Sequence, residues 1–98
     1  MQTIKIVATP SDKPWVLAYA TTPDGQGAKT PKMVGGKWSD KLATGTYYFS
    51  LTVTANGQTS CEIVVTADGV GVRDLKYLVP GNPAMPVTFP EPWIMDVK

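Results

Sequence analysis

The chain has 98 residues, 43% apolar and 17% charged, with a net charge of +1. That length holds one domain (1–98) around one core. The apolar share excludes wholesale disorder, and the near-neutral charge excludes bulk attraction to nucleic acid or to a membrane surface.

The predicted elements, in chain order, are all strands. Residues 3–9 alternate weakly, with Ile4, Ile6 and Ala8 on one side. Residues 15–20 place Trp15, Leu17 and Tyr19 together, with the small residues Val16, Ala18 and Ala20 opposite, a pattern that fits cover on both faces. Pro10 and Pro14 bracket the turn between these two runs. A long loop, 21–42, follows and is rich in Gly, Pro, Thr and Lys. It is expected to hold one short strand near 32–34 or 37–39.

The clearest signal is ATGTYYFSLTVTANGQTSCEIVVTA from Ala43. Tyr47, Phe49, Leu51, Val53 and Ala55 share one face, and so do Cys61, Ile63, Val65 and Ala67 on the second run. Period-two alternation of this length specifies strands. The Asn56-Gly57 pair predicts a β-hairpin. A two-residue turn would set Leu51 against Glu62, apolar against polar. A three-residue loop, 55–57, with Gly57 left-handed, sets Leu51 against Cys61 and Phe49 against Ile63. Cys61 then points inward as a small hydrophobe.

Leu75, Tyr77 and Val79 predict a later strand, and Trp93, Met95 and Val97 a last one. Between them runs a proline-rich arm, 80–93, with five of the chain's nine prolines. Its expected path is extended, with 87–89 able to pair at a sheet edge. No window shows helical periodicity. Seven or eight short strands without a substantial helix predict an all-β antiparallel sandwich.

The segment LATGTYYFSLTVTANGQTSCEIVVTA resembles the closing hairpin of bacterial and phage immunoglobulin-like domains. There a Gly-Thr-Tyr opens the penultimate strand. The resemblance implies an immunoglobulin-like or related sandwich, with Tyr47 as a tyrosine corner whose hydroxyl ties back to nearby backbone. Thirty-one residues follow Ala67, which departs from the usual strand order.

Candidate chemistry is sparse. The chain has no histidine, so the commonest general base is absent, and no serine has a visible base partner. Asp12, Asp24, Asp40, Asp68 and Asp74 sit in turn-like contexts. Asp24-Gly25 and Asp68-Gly69 offer oxygens, but no dense acidic run specifies a metal site. No cofactor is expected, and an enzyme is the least expected class.

Partner binding is expected to fall on two segments: Lys37 and Trp38 in the loop, where Lys29, Lys32 and Lys41 add charge, and Met85, Val87, Phe89 and Trp93 on the arm. The first functional expectation is a non-catalytic interaction or structural module, an accessory or decoration subunit of a larger assembly such as a phage particle. A carbohydrate-binding module stacking sugars on Trp38 and Trp93 is the second. A small inhibitor acting through its loops is the third. The N-terminus carries no signal-peptide pattern, so cytoplasmic synthesis without a cleaved signal is expected, with a virion as one final site.

Overall fold

The computed structural model describes all residues from Met1 to Lys98. It contains seven strands and no helix: β1 (Gln2–Thr9), β2 (Trp15–Ala20), β3 (Lys37–Leu42), β4 (Gly45–Asn56), β5 (Ser60–Ala67), β6 (Val70–Leu78) and β7 (Pro86–Val97). They form two antiparallel sheets, β3-β1-β5-β6 and β2-β4-β7. This is the expected sandwich.

Alternation sets which side chains enter the core. Along β4, Tyr47, Phe49, Leu51, Val53 and Ala55 are all buried. Ile4, Ile6 and Ala8 of β1 and Cys61, Ile63 and Val65 of β5 meet them from the other sheet. Every fully packed residue of this core is apolar. Trp15, Leu17 and Tyr19 complete it from β2, and Trp93 and Val97 from β7. Trp15 also donates from Nε1 to the Pro10 carbonyl at 2.8 Å, which ties β2 to the preceding turn.

The predicted hairpin does not form. Its strands exist, but β4 and β5 belong to opposite sheets. Leu51 lies between Leu17 and Glu91, and Phe49 between Tyr19 and Trp93. Cys61 is opposite Tyr77, and Ile63 sits between Ala8 and Leu75. The reason is geometric. Two apolar stripes bury each other as well face to face across a sandwich as side by side in a ladder.

Gly57 is not left-handed either; Gln58 takes that conformation, with φ 66°. Gly57 is required for a different reason. A Cβ there would strike the backbone of Gly81 and Asn82. The 57–59 crossing packs against the 79–85 crossing. Gly57 N–H donates to the Met85 carbonyl at 3.1 Å, and Gln58 Nε2 donates to the Gly81 carbonyl at 3.2 Å. The tight hairpin is instead β5–β6, where Asp68 (φ 50°) and Gly69 (φ 81°) link the paired Ala67 and Val70. Two positive φ values at the central pair are the mark of a type I′ turn. Asp68 also accepts from Thr3 N–H at 2.8 Å, locking the turn to β1.

Two further expectations change. The short strand expected near 37–39 forms and runs longer, as β3 over Lys37–Leu42, so the loop 21–42 ends at residue 36. The proline-rich arm is largely one long strand, β7, paired with β4 from Asn56↔Pro86 to Gly45↔Val97. Its prolines within the strand, 86, 90 and 92, all carry even numbers. Met85, of odd number, aims its carbonyl at the β4 side. Even positions therefore aim their backbone away from β4, where a missing N–H costs no ladder bond. Tyr47 does tie back to nearby backbone: its hydroxyl donates to the Ala43 carbonyl at 2.9 Å.

Gly57→Ala is expected to destabilise the fold by about 2 kcal/mol or more, because both crossings must separate. Leu51→Ala is expected to cost about 3–5 kcal/mol through the cavity it leaves. Urea unfolding monitored by tryptophan fluorescence checks both.

Candidate functional site

The two outer faces differ in charge. Outward side chains on the four-stranded sheet include Lys5, Lys37, Lys41, Glu62, Asp74 and Lys76, with Lys76 and Glu62 ion-paired at 3.6 Å. The three-stranded sheet presents Val16, Ala18 and Ala20 from β2, the even residues Tyr48 to Thr54 from β4, and Thr88 to Ile94 from β7. None of these carries a charge. Only Asp96 does, at the far end, where it accepts from Thr46 at 2.7 Å.

A groove of about 780 Å³ crosses this uncharged face. Ala18, Ala20 and Ser50 contribute its small side chains, and Tyr48, Pro92 and Ile94 the larger ones. Ile94 is 66% exposed and Val16 59%, large values for aliphatic side chains on a sheet. The size and apolar character suit a binding groove.

One wall comes from the 22–28 segment through Pro23, Gly25 and Ala28. Asp24 organises that wall, accepting from the Thr22 hydroxyl at 2.7 Å and from Gln26 N–H at 3.0 Å. These bonds, the Thr22 hydroxyl first, hold the Asp24 carboxyl below its ordinary pKa. Tyr19 and Lys29 then exchange backbone hydrogen bonds of 2.9 and 2.8 Å, which fasten the segment to the β2 edge. Arg73 closes the other end. Its guanidinium lies 5.5 Å from the Trp93 ring centroid and 3.3 Å from Glu91.

The residues expected to bind partners are not brought together. Trp38 is half-buried on the inner side of β3, tilted against Tyr19 at 5.5 Å. Lys37 is exposed on the other sheet's outer face. Met85 is exposed in the β6–β7 connection. Val87 and Phe89 are half-buried on the inner side of β7, with Phe89 5.4 Å from Tyr77. Trp93 is 7% exposed and stacked on Phe49 at 5.2 Å, so it presents no ring face for a sugar. The lysine cluster divides, with Lys29 beside β2 and Lys37 and Lys41 outward from β3. The groove residues Tyr48, Ser50, Pro92 and Ile94 went unread as a site. Their signal was a second strand face with no charge on it.

Reactive chemistry is subdued. Cys61 is buried, and burial pushes its thiol pKa up. The Tyr77 hydroxyl lies beside that thiol, buried and without a hydrogen bond of ordinary geometry. Burial, first, and then Cys61 raise the Tyr77 pKa far above its usual value. No three of the Asp, Glu and Cys side chains gather as metal ligands would.

The Tyr77 shift has a definite sign. The unfolded phenol ionises near pH 10 while the folded one stays neutral, so stability is full below about pH 10 and falls as pH rises beyond it. Tyr77→Phe is expected to flatten part of that alkaline loss and to cost under about 1 kcal/mol at pH 7, since it removes an unpaired hydroxyl. Thermal unfolding between pH 7 and 11 checks both. Native Cys61 is expected to react with a thiol reagent only at the rate of unfolding, as followed by absorbance.

No family model, no curated protein and no solved structure matches the chain.

Proposed function

We propose that the protein is a non-catalytic interaction module whose docking face is the uncharged outer face of the β2-β4-β7 sheet. The reading is supported most by one observation: a groove of about 780 Å³ crosses a sheet face that carries no charge between Val16 and Ile94. A charged partner surface would lose its hydration there and meet only Arg73, at one end and already paired with Glu91. The fitting occupant is a protein surface of apolar and hydroxyl groups that packs around Tyr48 and Ile94. Tyrosine is a common anchor of such interfaces.

The rigidity of the face favours this role. Both flanking strands pair with β4 along the groove, and the 22–28 wall is held by its own hydrogen bonds. Little ordering is then needed on docking. The Gly-Thr-Tyr opening of β4 and the bond from Tyr47 to Ala43 support kinship with immunoglobulin-like sandwiches, which host many functions. On this reading the chain works as a subunit of a larger assembly.

The test is the native mass of the chain in extracts of its source. The wild type is expected to travel in a species larger than twice its own 10.5 kDa mass. Ile94→Lys and Tyr48→Glu are expected to release it, and Lys5→Glu on the opposite face is expected not to. Retention of the large species by both groove variants would sink the reading. So would a shift in protein fluorescence with neutral glycans that Tyr48→Glu abolishes, because the groove would then be a sugar site.

A further inference from the structure

Each sheet has two edges, and three of the four are blunted. The β7 edge carries prolines 86, 90 and 92 at three of its six outward-directed positions, which interrupts the row of donors a neighbouring strand would need. The β2 edge is occupied at Tyr19 by Lys29. The β3 edge folds onto Val34 at Lys37 and bears Asp40 and Lys41 beyond it. Charge and local cover of this kind are how sheets avoid edge pairing.

The β6 edge also bears charge, at Asp74 and Lys76, but it has no local cover. No proline interrupts it, and no loop bonds to it. Val79 N–H donates to the Thr59 carbonyl at 2.9 Å, on the β5 side. Odd residues of β6 therefore aim their backbone at β5, and Asp74, Lys76 and Leu78 aim theirs outward. A bulge at Val72, the residue skipped between the Val65↔Arg73 and Thr66↔Gly71 pairs, leaves residues 73–78 in regular register. Val72 and Leu78 are 51% and 57% exposed.

The outward side chains of this edge read Val72, Asp74, Lys76, Leu78: apolar, acidic, basic, apolar. That order is its own complement when reversed. We infer that β6 pairs antiparallel with β6 of a second copy, about a two-fold axis through Leu75, to join two four-stranded sheets into one of eight strands. In this register Asp74 faces Lys76 of the partner copy twice over. Val72 faces Leu78 of the partner copy twice over, and Leu75 meets its own copy on the axis. Asp74 and Lys76 are both outward-bonding residues, so each facing pair exchanges two backbone hydrogen bonds. A two-fold interface requires this reciprocity, in which each contact occurs twice. A shift of two residues along the edge would instead set Asp74 against itself, or Lys76 against itself, and like charges directly opposite are destabilising. The register is thereby selected by charge.

The Lys76 ion pair with Glu62 within one copy does not compete strongly, since the Lys76 side chain is 76% exposed and the pair is long at 3.6 Å. The dimer edge and the groove share only Arg73, and neither Asp74 nor Lys76 lines the groove, so the two surfaces can be altered separately.

Sedimentation equilibrium of the purified chain between about 10 µM and 1 mM tests the pairing. The wild type is expected to approach twice its 10.5 kDa mass as concentration rises. Asp74→Lys alone and Lys76→Asp alone each place like charges opposite one another and are expected to remain monomeric. Mixing the two variants restores opposite charges at both positions, and a heterodimer is expected. Circular dichroism confirms that both exposed-site variants are folded. A wild type that stays monomeric throughout would overturn the inference. So would single variants that dimerise as the wild type does, or variants that fail to associate when mixed.

Discussion

The structure depends on the burial of one face of β4. The odd residues from Tyr47 to Ala55 point inward, and both neighbours in its sheet, β2 and β7, pair along it. At 12 residues β4 is also among the longest strands, so the sheet it centres is as long as its apolar stripe. Aromatic stacking reinforces the arrangement. Phe49 lies between Tyr19 at 5.4 Å and Trp93 at 5.2 Å, one from each flanking strand. Such contacts add directionality to what area burial alone would leave loose.

That core has a consequence for the surface. A sandwich whose two sheets lie only about 10 Å apart spends its inward positions on packing, so recognition falls to outer faces, edges and connections. Here those regions are sorted by charge. One outer face carries lysines and carboxylates, the other almost none. Three edges are interrupted by proline or covered by a bonded segment, and β6 alone has neither. Edges closed in this way keep a sheet from growing by strand pairing with other copies.

The most informative difference from the sequence reading concerns Asn56-Gly57 and Asp68-Gly69. Both pairs carry turn residues between alternating strands. Only the second makes a tight hairpin, with both central residues at positive φ. At the first, Gly57 is selected by the close approach of the 79–85 connection, a contact between segments over twenty residues apart. Local turn chemistry cannot register such a contact. The prolines of β7 mislead in a similar way. They read as a free arm, yet their even spacing is compatible with an edge strand, and the odd residues Phe89 and Trp93 pack inward.

The candidate groove was half legible. The uncharged outer residues of β2 and β4 could be read from alternation, and Val16, Ala18 and Ala20 stood out as small. Their meeting with Pro92 and Ile94 could not, because β7 lies some forty residues further along the chain. The sequence by itself determined which side chains face inward, since a period of two leaves each strand only two faces and one of them is apolar. Tertiary structure alone decided which strand lies beside which. An inward stripe is satisfied by any apolar surface, so the choice between ladder partner and opposite sheet falls to long-range packing and to the close backbone approach at Gly57.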